Sequence, residues 1–177
     1  MGEDIILRLL HITLKTLAEV FMPDSYLEIG VREGDSLKSV LEGYHPDNIA
    51  LCDTWGEAYG GTGRRSSKHI VKMLEELEYM GGVNILDGDS HDLIPQLDKT
   101  YDMINVDGDH SYNGAMMDLR NSWKLLRKGG ILVFDDIIHP DHKYLEACII
   151  AFMSEVEHKV LKFNDVDDNG IVVLFKL

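Results

Sequence analysis

From Tyr101 to Asp136 the chain reads YDMINVDGDHSYNGAMMDLRNSWKLLRKGGILVFDD, and no other stretch narrows the possible folds as much. Met116, Leu119, Trp123 and Leu126 recur at three- and four-residue spacing, which places them on one face of an amphipathic helix. Gly129-Gly130 is where that helix is expected to stop. On either side lie two short apolar runs, Met103-Ile104-Asn105-Val106 and Ile131-Leu132-Val133-Phe134. Their shortness, and the glycine pair before the second, favour strands. A strand–helix–strand sequence of this kind closes as a right-handed parallel unit, with both carboxyl ends on one edge of the sheet. Asp107-Gly108-Asp109-His110 ends the first strand and Asp135-Asp136 the second, so two distant acidic clusters become neighbours. Open α/β sheets bind their ligands on that edge.

The rest of the chain repeats the pattern. Residues 4 to 21 form an amphipathic helix with Ile5/Ile6, Leu9/Leu10, Leu17 and Val20/Phe21 on one side, ended by Pro23. Tyr26–Ile29 is a strand running into GVREG, followed by a helix over Ser36–Glu42 and a second strand, Ile49–Cys52, ending at Asp53. A helix marked by Ile70, Leu74 and Leu77 ends at Gly81-Gly82, and a third strand, Val83–Leu86, ends in Asp87-Gly88-Asp89-Ser90. A short helix over residues 91–97 leads into the central unit. After Pro140 comes a helix carrying Leu145, Ile149, Phe152 and Val156, then strands over Val160–Phe163 and Ile171–Lys176. Asn169-Gly170 is a hairpin signal, so the last two strands are antiparallel. Five β-α units and a hairpin make a three-layer α/β sandwich, expected as a single domain over residues 1–177.

Each of the five parallel strands carries acid at or near its carboxyl end: Glu28, Asp53, Asp87/Asp89, Asp107/Asp109 and Asp135/Asp136. Helix capping accounts for any one of them. Five of five point to a shared cause, a ligand that is cationic and carries a ribose. The formal charge of −14 agrees, since it disfavours phosphate backbones; only Arg64-Arg65 with Lys68 makes a compact basic cluster. EIGVREG has two glycines spaced G-x-x-x-G and fails the dinucleotide fingerprint, which makes a nicotinamide-dependent oxidoreductase improbable. Asp53, about twenty residues further on, is placed to accept hydrogen bonds from ribose hydroxyls.

YLEIGVREGDS, LCDTW, LDGDS, INVDGDHSY and KGGILVFDD together resemble the successive motifs of class I S-adenosylmethionine-dependent methyltransferases. The last two are most similar to the small-molecule O-methyltransferase subgroup that contains macrocin O-methyltransferase-like (methyltransferase 24) enzymes. The resemblance covers residues 26–139 and implies a Rossmann-like sheet of seven strands in the order 3-2-1-4-5-7-6, strand 7 antiparallel. It implies that Glu28, Gly30 and Gly34 line the methionine part of the cofactor, that Asp53 binds its ribose, that Asp89 and Ser90 sit by the adenine, and that Asp107 also touches the cofactor. It also implies that Asp107, with Asp135 and Asp136, holds a magnesium or manganese ion, an oxygen-only set suited to a hard cation. His110, whose ordinary pKa suits a general base, joins Asp107 as a candidate catalytic residue. His91 and His139 also end strands and are weaker candidates. Trp55 either shields the adenine or packs.

The expected activity is metal-assisted O-methylation of a small sugar, polyol or phenol; the alternative is a non-catalytic module that binds the same cofactor. No apolar run approaches bilayer-spanning length, and MGEDIILRLL begins too acidic for a signal peptide, so the expected setting is the cytoplasm. Ile6 stands where a myristoylation start wants Ser or Thr, and Cys52 and Cys148 have no metal-type spacing. Only one helix precedes the first strand, and no insertion follows the fifth. Enclosure of the acceptor therefore falls to the loop over residues 54–66, to the first helix, or to a partner subunit in a homo-oligomer. In that loop Gly60-Gly61 and Gly63 would hinge a lid, with Tyr59 and Arg64-Arg65 touching the acceptor.

Overall fold

Period-two alternation sorts the strand residues onto two faces of one sheet, and both faces are apolar. The computed structural model describes residues 9–56, 66–163 and 169–177. In β1 (Ser25–Ile29), Leu27 and Ile29 face one way and Tyr26 the other; in β2 (Asn48–Asp53), Ala50 and Cys52 oppose Ile49 and Leu51. The same division separates Leu132 and Phe134 from Ile131 and Val133 in β5 (Leu126–Phe134), and Val172 and Leu174 from Ile171 and Val173 in β7 (Ile171–Lys176). Such a sheet needs helices on both sides. On one side α1 (Leu9–Phe21), α2 (Asp35–Gly43) and α3 (Ser67–Glu76) supply Leu10, Leu14, Leu37, Val40, Ile70 and Leu74. On the other, α5 (Tyr112–Leu125) and α6 (Leu145–Met153) supply Met116, Leu119, Ile149 and Phe152, with the short α4 (Ser90–Leu93) beside them.

With β3 (Gly82–Asp87), β4 (Tyr101–Val106) and β6 (His158–Phe163), the described strands form a seven-stranded sheet in the order β3-β2-β1-β4-β5-β7-β6. β1 to β5 pair in parallel, and β7 runs antiparallel to both its neighbours. This is the strand order, and the Rossmann-like three-layer sandwich, that the motif resemblance implies. Asn169 and Gly170 take left-handed φ of 61° and 70° where the connection from β6 enters β7, and Phe163 pairs with Ile171 across it.

Several boundaries differ from the sequence expectation. Gly129-Gly130 does not stop α5. The helix ends at Leu125, where Leu126 turns extended (φ −74°, ψ 128°) and pairs with Tyr101. The next partners are Met103 and Ile131, so Arg127–Gly130 bulge from the ladder, with Gly129 at φ 73° and Arg127 Nε pairing with the Asp102 carboxylate. Lys176 Nζ then donates to the carbonyls of Trp123 (2.6 Å) and Leu126 (2.7 Å), satisfying the end of the helix in place of a glycine cap. The short helix expected over 91–97 is α4 followed by a 3-10 turn at Ile94–Gln96, and Val156 lies beyond the end of α6. The N-terminal part of the first expected helix, with Ile5/Ile6, and the segment 57–65, with Tyr59, the lid glycines and Arg64-Arg65, lie outside the described residues.

Candidate active site

The carboxyl ends of β1, β2 and β4 close on one another through backbone contacts that only glycine permits. The Gly30 N–H donates to the Cys52 carbonyl (2.9 Å) and the Asp107 N–H to the Ile29 carbonyl (2.8 Å). Gly30 has φ 85°, and a Cβ placed on it would lie 1.9 Å from the Asp107 carbonyl oxygen. The turn after β1 is thus pressed flat against the first residue beyond β4. Gly34, φ 87°, opens α2, and a Cβ there would meet the Ile70 and Met73 side chains at 2.9 Å.

Two carboxylates look into this turn. Asp53 accepts the N–H groups of Arg32 (2.7 Å) and Trp55 (2.6 Å), both residues at left-handed φ, 52° and 55°. A carboxylate has about four acceptor positions, so Asp53 organises the loop and keeps capacity for a ligand. Trp55 packs against the α1–α3 side of the core, and its indole Nε1 is buried without an acceptor. Glu28 is fully buried. Tyr26 donates to its Oε2 at 2.8 Å, and the Asn105 side chain bears on the same carboxyl. Burial, aided by the charges of Asp107 and Asp53 and opposed by the Tyr26 hydrogen bond, pushes its carboxyl up to about 8.

A second constellation ties the ends of β3 and β4 to α5. Asp89 caps α4 by accepting the His91 N–H at 2.9 Å. The Ser90 hydroxyl donates to Asp118 Oδ1 at 2.7 Å, and His91 Nε2 lies 3.3 Å from the Gly114 carbonyl and 3.7 Å from Asp118. Asp118 is wholly buried; burial, offset by Ser90, His91 and the Asp109 N–H, raises its carboxyl to about 6. Asp89 and Ser90 therefore reach the same edge as Gly30 and Asp53, but the Ser90 hydroxyl faces inward.

The third constellation surrounds His110. Its Nε2 lies 3.2 Å from Asp107 Oδ1 and 3.8 Å from Asp136 Oδ2, and its Nδ1 is buried with no partner. The ring lies 4.1 Å from that of His142, centroid to centroid, and His142 stacks on His139 at 4.4 Å. Burial lowers the His110 pKa, but the Asp107 hydrogen bond and the charges of Asp107, Asp136 and Asp109 outweigh it, so the imidazole titrates above its usual value. His142 moves the other way, through burial and the nearby His110 and His139. Asp136 sits at φ 58° and accepts the Asn169 Nδ2 at 3.0 Å; Asp135 is buried beside it. Among the described residues, the ligand atoms that gather are those of His110, Asp136 and His142, all within 4.8 Å of one another. Asp107 and Asp135, the other two carboxylates of the expected metal set, lie outside that group.

Asp118, Asn169 and His142 escape a reading of the sequence as site residues, to different degrees. Asp118 was findable: it falls between Ala115, Leu119 and Ser122 on the buried stripe of α5, where an unpartnered carboxylate is costly. Asn169 is visible only as a turn residue. His142 follows Pro140-Asp141 with no periodic or motif signal.

A family model described as a methyltransferase domain matches residues 27–137. An uncharacterised protein, R132, of Acanthamoeba polyphaga mimivirus is 31% identical over 132 residues, which is 70% of this chain and 57% of that protein. The match thus spans little more than half the length of that relative. The O-methyltransferase TomG from Streptomyces achromogenes, involved in tomaymycin synthesis and solved with S-adenosylmethionine, superposes with a TM-score of 0.71 at 20% identity, covering 94% of this chain and 78% of TomG. The O-methyltransferase from Bacillus cereus, solved with S-adenosylhomocysteine, gives 0.69 at 18% identity, covering 94% and 80%.

Proposed function

Because the chain belongs to the methyltransferase-domain family, we propose that it transfers the methyl group of S-adenosylmethionine to a hydroxyl oxygen of a small molecule, assisted by a divalent metal ion. The observation that carries this reading is the turn at Gly30. It brings a glycine backbone, the Glu28 and Asp53 carboxylates and the Asp107–His110–Asp136 cluster to one edge of the sheet. A buried glutamic acid suits the methionine ammonium, and the spare acceptor capacity of Asp53 suits the ribose diol. Asp89, Ser90 and Gly34 complete the cofactor side.

The methyl donor supplies an electrophilic carbon on a positive sulfur, and the acceptor oxygen attacks it in line as the carbon–sulfur bond breaks. The charge disappears from sulfur, leaving a neutral thioether, and the acceptor must lose its proton. A divalent ion at the ends of β4 and β5, where Asp107, Asp135 and Asp136 provide carboxylate oxygen, would acidify a coordinated hydroxyl. His110, held by Asp107, lies beside that position and can receive the proton. The acidic edge favours cationic donor over neutral product, which helps the product leave.

With a panel of catechols, polyols and sugars as acceptors, methyl transfer is expected to stop in EDTA and return with a divalent metal. Asp107→Asn is expected to abolish transfer while leaving S-adenosylhomocysteine affinity within a few fold. Undiminished transfer in chelator would show that the carboxylates only cap helices.

A further inference from the structure

We infer that Asp118 is a positioning residue that couples the two ends of the site: its carboxylate clamps the turn after β3, on the adenine side, to the turn after β4, which carries Asp107 and His110. The inference rests on the methyltransferase reading and deepens it. Asp118 lies midway along α5 and is wholly buried, on the stripe it shares with Ala115, Leu119 and Ser122. An apolar side chain would fill that position without electrostatic cost, whereas a carboxylate must recover a large desolvation penalty from its donors. Those donors come from two different turns. The Ser90 hydroxyl donates to Oδ1 at 2.7 Å, and the Asp109 N–H donates to Oδ2 at 3.4 Å. One rigid helix thus holds both turns through the two oxygens of one side chain.

The packing around the clamp leaves neither turn free to shift alone. A Cβ on Gly108 would lie 2.9 Å from Asp118 Oδ2, and one on Gly114 would lie 1.8 Å from Asp109 Oδ2, so the β4 turn is pressed against the first turns of α5. His91 adds a second tie between the same elements. Its Nδ1 lies 3.3 Å from Asp89 Oδ1 and its Nε2 3.3 Å from the Gly114 carbonyl. Asp109 in turn accepts the Ser111 N–H at 2.7 Å, and Ser111 caps α5. A ligand that orders Asp89 and Ser90 therefore bears, through Asp118, on the backbone between Asp107 and His110. Coupling of this kind needs a contiguous physical connection, and the Ser90–Asp118–Asp109 chain supplies it.

The test uses adenosine, which lacks the methionine arm that would reach Asp107 directly, and reads hydrogen exchange of the full chain over residues 107–111. Saturating adenosine is expected to slow those amides by at least about fivefold while leaving the distant β6 unchanged. Asp118→Asn keeps the side-chain volume but can accept from only one of the two donors, because its amide nitrogen is itself a donor. That variant should bind adenosine within about tenfold of the unaltered chain and lose the slowing. Ser90→Ala leaves the α5 core intact and should lose it as well, so it decides the matter alone if Asp118→Asn does not fold. The double variant should be no worse than either single one, as expected for two members of one connection. Slowing that persists in the variants at saturating adenosine, or adenosine binding to the unaltered chain without any slowing, would overturn the inference and leave the methyltransferase reading standing. Failure of the unaltered chain to bind either adenosine or S-adenosylhomocysteine would overturn that reading, and the inference with it.

Discussion

Glu28 is a residue whose chemistry the fold displaces far from its ordinary state. Fully buried near the end of β1 and bonded to Tyr26, its carboxyl is pushed up to about 8, out of the usual carboxylate range. An acid raised by folding behaves oppositely to a salt-bridged one: the folded state holds a proton that the unfolded chain has lost. Its contribution to stability is therefore fully present below about 4.5 and declines as pH rises toward 8. Glu28→Gln should flatten the stability–pH curve across that window and raise the melting temperature at pH 8, a gain on the order of a few kcal/mol. If the methionine ammonium pairs with Glu28, cofactor binding near pH 7 should also release a proton. Calorimetry in buffers of different ionisation enthalpy reads that directly, and the Gln variant should show none. At this scale the sequence was informative about position and silent about state. A Glu ending an apolar strand is plain in YLEIG, whereas its protonation depends on Tyr26, Asn105 and Asp107, which the sheet brings from two strands.

At the level of elements, the parallel β4–α5–β5 unit places Asp107 beside Asp136, and the hairpin is less independent than its sequence suggests. Its turn residues Gly170 and Asn169 accept the N–H groups of Ile137 (3.2 Å) and Ile138 (2.7 Å), and the Asn169 amide reaches Asp136. The hairpin thus braces the segment that follows β5. Alternation and the antiparallel last pair were legible from local periodicity and turn chemistry, whereas the strand order was legible only through the motif resemblance. The Gly129-Gly130 bulge was not, since glycine signals a cap and a bulge alike, and only the pairing of Leu126 with Tyr101 decides between them. Nor was His142 legible: its ring meets that of His110 through the segment after β5, whose path no periodic or motif signal sets. The tightest joint between elements is Gly30 against Asp107. Gly30→Ala should displace one strand end or the other, and we expect it to abolish cofactor binding and to cost roughly 1–3 kcal/mol in denaturant unfolding from backbone strain. Wild-type affinity in that variant would show that the close approach is incidental.

For the molecule as a whole, a charge of −14 and an edge bearing Asp53, Asp107 and Asp136 make a field that favours cations. Among the described residues no helix is long and apolar enough to cross a membrane. The fold and the family agree on a Rossmann-like methyltransferase domain; the glycine turn, lacking a third glycine and lying beside carboxylates, is a poor cradle for a pyrophosphate. Equilibrium calorimetry of the full chain with S-adenosylmethionine, S-adenosylhomocysteine, NAD and ATP tests that claim most directly. The first two are expected to bind at one site per chain and NAD and ATP far more weakly, and Asp53→Ala is expected to cost S-adenosylmethionine about 1–3 kcal/mol. NAD binding as tightly as S-adenosylmethionine, or an Asp53→Ala variant with unaltered affinity, would contradict it.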